Sequence, residues 1–416
     1  MLIRDADLGQ GSSPSNRERL RGFLRQRVAA LRESSEFSRY PGAPSEVAKA
    51  QQHPELFIER VLSETVGYGA IDHLIKDPSV REIMVNGPDL IFVERGREVV
   101  QEGVRFKDAD QLMTIIQRML DPLGKRVDFV SPMVDARLPD GSRINVIIPP
   151  LSLRGPALTI RKFPDKPITA PDLIAWGSAT VQVMEILEAC VRGRLNIIVS
   201  GGTGSGKTTL LNVLSQFIPK RDRVVVIEDT AELQIGLPNC LQLEARSANI
   251  EGAGRITIRD LVRNALRMRP DRIVIGECRG GEALDMLQAM NTGHDGSMTT
   301  AHANTPRDLI SRLEIMVLMA GMQLPLQAIH RQIAGAVNLI LQQERLEDGS
   351  RRITRITEVI PSATEIVELV DLFVFRQQGL DSSGRVQGEL LPAGKQPQFL
   401  ARLAAQGLHL PDGTFP

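Results

Sequence analysis

The sequence predicts an α/β fold, a largely parallel sheet covered by helices, preceded by a smaller α+β domain and a helical amino-terminal segment. Two observations carry this. Short apolar runs at residues 195–199, 223–227 and 273–276 alternate with helix-period segments at 208–217 and 260–268. Strands that are hydrophobic throughout and separated by helices belong to parallel sheets buried on both faces. Between the first run and the first helix lies Gly201-Gly202-Thr203-Gly204-Ser205-Gly206-Lys207-Thr208, in the strand-to-helix context of a phosphate-binding loop.

The chain of 416 residues is long enough for two or three domains with separate cores. Its 50 Lys and Arg balance 50 Asp and Glu, so the overall charge calls for no polyanionic partner. One Trp and two Tyr offer no stacking platform for single strands. Cys190, Cys240 and Cys278 stand far apart with no C-x-x-C pair, which points to a reducing compartment. Residues 1–16 are polar, and no apolar run approaches the ~20 residues that cross a bilayer. A cytoplasmic protein is expected, meeting a membrane only at its surface or through partners.

From residue 14 to 54, Leu20, Phe23, Leu24, Val28 and Leu31 recur at helical spacing among Arg17, Arg19, Arg21, Arg25 and Arg27, the pattern of an amphipathic basic helix. A bundle helix with a solvated basic face is the favoured reading; a docking face for a membrane surface or a partner is the other. A second helix is expected over 55–66, ended by Gly67-Tyr68-Gly69. Residues 81–85 and 90–94 read as strands around an Asn86-Gly87-Pro88 turn. Leu112, Ile115, Ile116, Met119 and Leu120 form a helix face, and 144–148 and 157–161 are further strands. Pro164, Pro167 and Pro171 then interrupt regular structure. The expected division is a helical region 1–72, an α+β domain 73–165, a linker 166–178, the sheet domain 179–376 and a loosely packed appendage 377–416. That last stretch holds Gly379, Gly384, Gly388, Pro392, Gly394 and Pro397.

The glycine-rich stretch satisfies G-x-x-x-x-G-K-[ST]. Its glycines let backbone N–H groups turn inward, and the following helix presents its positive end to the same spot. Lys207 is expected on the β- and γ-phosphates and the Thr208 hydroxyl on Mg²⁺. Residues 223–227 lead into Glu228-Asp229-Thr230-Ala231-Glu232, and 273–276 into Glu277. Acids there lie at the carboxyl edge of the sheet, where ligands of open α/β folds sit. Nucleotide hydrolysis needs one acid near the metal and another to place or activate water. Singly, each acid is as readily a cap or a surface charge; four at two strand ends beside one phosphate loop point to function.

His294 and His302, two of six histidines, bracket a glycine-containing turn and a short strand, which reads as a segment that senses the γ-phosphate. Metal ligation with Cys278 lacks any ligand spacing. Arg263, Arg267, Arg269 and Arg272 read mostly as solvated or ion-paired, as do Arg137, Arg143, Arg154 and Arg161. One or two of the first-domain set, Arg143 and Arg161 ahead of Arg137, are candidates to meet γ-phosphate charge across a domain or subunit boundary. The chain has no N-K-x-D segment to read guanine.

Four blocks, Gly201 to Thr209, residues 227–233, residues 266–272 with Gly276-Glu277, and His294 to Asn304, together resemble the Walker A, Asp box, Walker B and His box of the secretion-motor ATPases of type II and type IV systems. The likeness is greatest to the CpaF/TadA branch, which serves tight-adherence (Flp-type) pili; residues 82–87, 135–143 and 286–294 extend it. It covers 55–376, and the first fifty residues carry none of it. Met298-Thr299-Thr300-Ala301 stands where the family suggests Leu-Ser-Thr-Val, a conservative change.

The resemblance implies a RecA-like ATPase domain behind a smaller PAS-like α+β domain, using ATP and Mg²⁺. It further implies a homohexamer peripheral to the cytoplasmic side of the inner membrane, working on the platform proteins of a pilus machine and through them on pilin, with no nucleic acid. Position by position, Lys207 and Thr208 match phosphate and metal binding, Glu277 the Walker B acid, Glu232 the second acid of the Asp box, and His294 and His302 the His box. Glu277 and Glu232 are expected to act together with Asp229 near the metal, and Glu228 is the reserve candidate for the base. The rival of another class is a nucleic-acid translocase, a RecA-type hexamer in which the basic helix near Arg25 meets phosphates. Neutral charge and scarce aromatics disfavour it.

Overall fold

The computed structural model describes residues 14–30, 52–96, 98–163, 167–246, 254–361, 367–410 and 415. Two compact units divide the chain, 1–166 and 167–416.

In the first unit, helices α1 (Pro14–Ala30) and α2 (Pro54–Thr65) bury Leu20, Leu24 and Val28 with Ile58 and Leu62. The basic side of α1 faces acids. Arg17 and Arg21 reach Glu59 at 3.2 and 2.6 Å, Arg17 also reaches Asp72 at 3.1 Å, and Arg25 holds Glu55 through two bonds of 2.9 Å. The helix is therefore a bundle partner, and the arginines on which the translocase alternative leaned are answered by acids of their own unit. Leu31 lies outside the described residues.

After the short helix α3 (Asp72–Lys76) come β1 (Val80–Asn86), β2 (Ile91–Arg95), β3 (Glu98–Gln101), α4 (Ala109–Leu120), β4 (Met133–Arg137), β5 (Arg143–Ile147) and β6 (Ala157–Arg161). The six strands form a sheet in the order β3-β2-β1-β6-β5-β4, with every neighbouring pair antiparallel. Asp108 starts α4 by accepting the Gln111 N–H at 2.8 Å, a side-chain cap that satisfies one orphan donor. The helix face expected from the sequence, Leu112 to Leu120, is buried with Ile83, Val85, Ile144, Val146, Leu158 and Ile160. Because strand side chains alternate, the burial of Ile144 and Val146 turns Arg143 and Asn145 to the other face.

The second unit contains α5 (Ala170–Ala175), α6 (Val181–Arg192), β7 (Ile197–Gly201), α7 (Lys207–Ser215), β8 (Val224–Glu228), β9 (Cys240–Glu244), α8 (Ile258–Ala265), β10 (Arg272–Cys278), α9 (Glu282–Asn291) and β11 (Met298–Ala301). It continues through α10 (Pro306–Leu318), α11 (Leu326–Ala336), β12 (Leu339–Arg345), β13 (Arg351–Ile360), β14 (Glu368–Leu380), β15 (Val386–Pro392) and α12 (Leu400–Ala405). Nine strands lie in the order β15-β14-β13-β12-β7-β11-β10-β8-β9. From β12 to β9 the pairs are parallel, and from β12 to β15 antiparallel. Val224 and Val226 of β8 enter one core cluster while Val225 and Ile227 enter another. Both faces of the parallel strands are covered, as the all-apolar runs require.

Two expected boundaries give way. Residues 170–175, assigned to a linker, form α5, started by a reciprocal Thr169–Asp172 capping box with Leu173 buried in the main core; Pro171 sits in its first turn, where proline lacks no needed donor. The expected appendage 377–416 is integral to the unit. Strand β15 pairs along β14, and Phe399 and Leu403 are buried in the same cluster as Ile197 and Val199. Glu358 of β13 accepts the N–H groups of Gln398 and Phe399, both at 3.1 Å, which fixes the entry to α12.

Candidate nucleotide site

Four neighbouring parallel strands, in the order β7-β11-β10-β8, end level with one another. Ala301 is opposite Ser200 and Cys278 is opposite Ala301. The residues that follow each strand therefore meet at one edge: the glycine loop after β7, His302 after β11, Glu277 near the end of β10, and Glu228 to Glu232 at the end of β8.

The loop is shaped by backbone constraints. Gly204 and Gly206 have φ of +72° and +95°, left-handed values that favour glycine. A Cβ on Gly201 would stand 2.1 Å from the Gln343 carbonyl of the adjoining strand, so only glycine lets β7 and β12 pair there. Ser205 Oγ and Lys207 Nζ both donate to the Gly202 carbonyl at 2.9 Å. Helix α7 makes its first bond from Leu210 N to Gly206 O at 3.0 Å, which leaves the N–H groups of Lys207, Thr208 and Thr209 without intrahelical partners. Such groups, with the positive end of the helix, are what an anion needs at a helix start. Thr203 is exposed at its rim, and burial holds the Lys207 amine below its ordinary pKa while Glu277 opposes the shift.

The acids separate by role. Glu228 is buried, and its carboxylate accepts the N–H of Glu232 at 2.9 Å and of Leu233 at 3.1 Å. It is a scaffold for the segment that carries Asp229, which is exposed, and Glu232, which is half-buried. Gly276 makes room for it, since a Cβ there would lie 2.9 Å from Glu228 Cγ. Glu277 is half-buried and pairs with Arg279 at 2.7 Å, and Thr300 Oγ1 bonds the carbonyl just before it at 2.7 Å.

The two histidines part company. His302 follows β11 at the loop edge, beside Ala303, whose carbonyl accepts Ser200 Oγ at 3.4 Å and Gln342 Nε2 at 3.2 Å. His294 precedes β11 at the opposite edge, where its Nδ1 lies 3.3 Å from Ala289 O at the end of α9. The strand between them sends the pair to different ends of the sheet, so the structure does not bring His294 to the phosphate loop of its own chain.

In the first unit the three candidate arginines share one rung: Arg137 pairs with Arg143, and Arg143 with Arg161. Directly opposed residues point to the same face, so three guanidinium groups line up across β4, β5 and β6. Arg161 lies 3.5 Å from Glu82, and Arg137 covers the Phe163 ring at 5.6 Å. The other basic set is structural. Arg263 joins Arg259 on Asp285, and Arg272 is fully buried against Asp222 at 2.7 Å.

Arg279, Arg351 and Gln343 were not anticipated. Arg279 stands two residues after Glu277, close enough to have been noticed. Arg351 Nε donates 2.8 Å to Gly204 O from 147 residues away, which no local pattern reveals. The Thr208 hydroxyl, Asp229 and Glu277 are oxygen donors of the class that Mg²⁺ takes, and that ion usually binds through one or two carboxylates with phosphate and water completing its shell. Among the described residues no three His, Cys, Asp or Glu converge into a cage. The chemistry of the Thr208, Asp229 and Glu277 oxygens fits such an ion. Among the described residues no helix is long and apolar enough to cross a membrane.

Comparison with known proteins gives a consistent result. The family model described as "Type II/IV secretion system protein" matches residues 64–379. The chain is similar to the conjugal transfer protein TrbB of Rhizobium radiobacter, 34% identical over 73% of this chain and 91% of that one. It is also similar to the type IV secretion system protein VirB11 of Brucella suis, 31% identical over 72% of this chain and 90% of the other. Among solved structures, the pilus retraction motor PilT with bound ADP shares the fold, with a TM-score of 0.52 and 20% identity over 71% of this chain and 83% of that one.

Proposed function

This chain belongs to the type II/IV secretion system protein family, and on that premise we propose that it is an ATP-hydrolysing motor with a RecA-like second unit. It works as a homohexamer at the cytoplasmic face of the inner membrane, powering assembly of a Flp/Tad-type pilus or secretion through platform proteins. The observation that carries the reading is the single edge of four parallel strands that collects a phosphate loop, two sets of strand-end acids and His302.

The N–H groups at the start of α7 receive the phosphates, and Lys207 leaves the Gly202 carbonyl for the β- and γ-oxygens. Thr208, Asp229 and Glu277 would hold a Mg²⁺ ion, which would supply charge neutralisation at the phosphates. Glu277 and Glu232 then orient the attacking water and accept its proton, Glu232 being set in place by Glu228. His302 donates a hydrogen bond to the γ-phosphate. The Arg137, Arg143 and Arg161 rung suits charge that develops on the transferred phosphoryl group. No residue of this mechanism needs His294.

The direct test is Lys207→Ala, with nucleotide binding, phosphate release and molecular mass measured together, with and without ATP. Loss of binding or turnover is expected; hydrolysis at the wild-type rate would overturn the assignment.

A further inference from the structure

We propose that Arg279 is a resident counter-ion of the acid cluster, holding Glu277 until a magnesium nucleotide displaces it and thereby keeping Lys207 available for phosphate. This rests on the nucleotide reading above and adds to it a device that limits how far binding depends on the metal.

The geometry is specific. Arg279 Nη2 lies 2.7 Å from Glu277 Oε2, and its other electrostatic neighbours are Asp229 and Glu232, the acids at the end of the adjoining strand. One guanidinium thus pairs with Glu277 and lies within electrostatic reach of Asp229 and Glu232. Lys207 also feels both Glu277 and Arg279, yet its Nζ rests on the Gly202 carbonyl at 2.9 Å. A carboxylate that meets an amine forms a charge-assisted hydrogen bond; Glu277 makes its bond to Arg279 instead.

The backbone under Arg279 is fixed. Glu282 Oε1 accepts the N–H groups of Arg279 and Gly280 at 2.7 and 2.8 Å, and a Cβ on Gly281 would stand 2.9 Å from Ala320 Cα. The side chain beyond that anchor is 68% exposed, against 28% for Glu277. It can therefore swing off the acid without the strand moving, and an exposed pair is weak enough for a divalent cation to break.

The charge balance gives the sign. With Arg279 neutralised, the uncompensated acids repel the triphosphate and Glu277 turns to Lys207, so binding without metal weakens. With metal present, no guanidinium competes for Glu277, and binding recovers. Arg279 is a positioning residue on this view, since it acts through Glu277.

The experiment measures the dissociation constant of a fluorescent ATP analogue, mant-ATP, in EDTA and in excess Mg²⁺, for the full-length wild type, Arg279→Gln and Arg279→Lys, with melting temperature as the folding control. The ratio of the EDTA to the Mg²⁺ constant is expected to rise about three- to tenfold in Arg279→Gln and to stay within about twofold of wild type in Arg279→Lys, which keeps the charge. An unchanged or smaller ratio in Arg279→Gln overturns the proposal, as does a Lys variant that behaves like the Gln variant. Failure of the wild type to bind mant-ATP at all would instead overturn the nucleotide reading itself.

Discussion

Glu228 Oε1 accepts the backbone N–H of Glu232 at 2.9 Å, so one acid of the pair serves as the other's support. The consequence is a division of labour among side chains of one chemical type. Glu228 is buried and bonded to two backbone amides. Glu277 and Glu232 keep more solvent contact.

Glu277→Gln is expected to keep Mg-ATP binding while turnover falls at least ~100-fold, the scale of a lost acid–base contribution. Glu228→Gln should instead lower stability by about 1–3 kcal/mol through its imperfectly replaced amide bonds, with a smaller kinetic effect. Phosphate release and thermal melting on both variants decide the matter; equal kinetic losses at unshifted melting temperature would restore Glu228 as the base.

Asp222→Ala leaves the fully buried Arg272 without its carboxylate partner at 2.7 Å, with only carbonyl acceptors such as Val191 O remaining. Breaking one side of such a pair costs about 3–5 kcal/mol. Urea unfolding should register that loss, and a double variant Asp222→Ala/Arg272→Met should recover much of it. Additive losses in the double variant would mean that the pair is not what holds the two residues' surroundings together.

Arg143→Ala should reduce ATP turnover without lowering the melting temperature of the first unit. Like charges directly opposite on a sheet repel, and Arg143 sits between Arg137 and Arg161; its removal relieves that strain. A drop in stability with an unchanged rate would make the rung a structural device.

Glu358 lies buried behind α12, and burial raises its carboxyl above the ordinary pKa although the Gln398 and Phe399 amides oppose the shift. An acid with a raised folded pKa contributes its stability below the unfolded value, near 4.5, and loses it as pH climbs through the folded value. Relative to Glu358→Gln, the wild type should therefore lose melting temperature between about pH 4.5 and neutrality. A constant difference across that range would show that the group ionises as freely in the fold as outside it.

The phosphate loop was legible because its constraints are contiguous: glycines, lysine and threonine act within eight residues, and the flanking apolar runs declare the strand and helix. The acids were legible as a group, but only the hydrogen bonds of Glu228 separate support from chemistry. The place of His294 was not legible, because a motif sets two histidines close together in sequence, whereas β11 carries them to opposite edges of the sheet. The tail misled for a different reason. Gly388 marks a close approach, since a Cβ there would meet Arg376 O at 2.5 Å, and Pro392 ends an edge strand, where no donor is required. Composition alone made both look like signs of looseness.

Because Phe399 and Leu403 complete the cluster that also encloses Ile197 and Val199, the glycine loop rests on a core that a much later stretch of chain closes. During translation the ribosome must deliver residue 403 before the cluster beneath residues 201–208 can close. The half-made polypeptide would expose β7 and β12 meanwhile, and unpaired apolar strands of that kind are prone to aggregate.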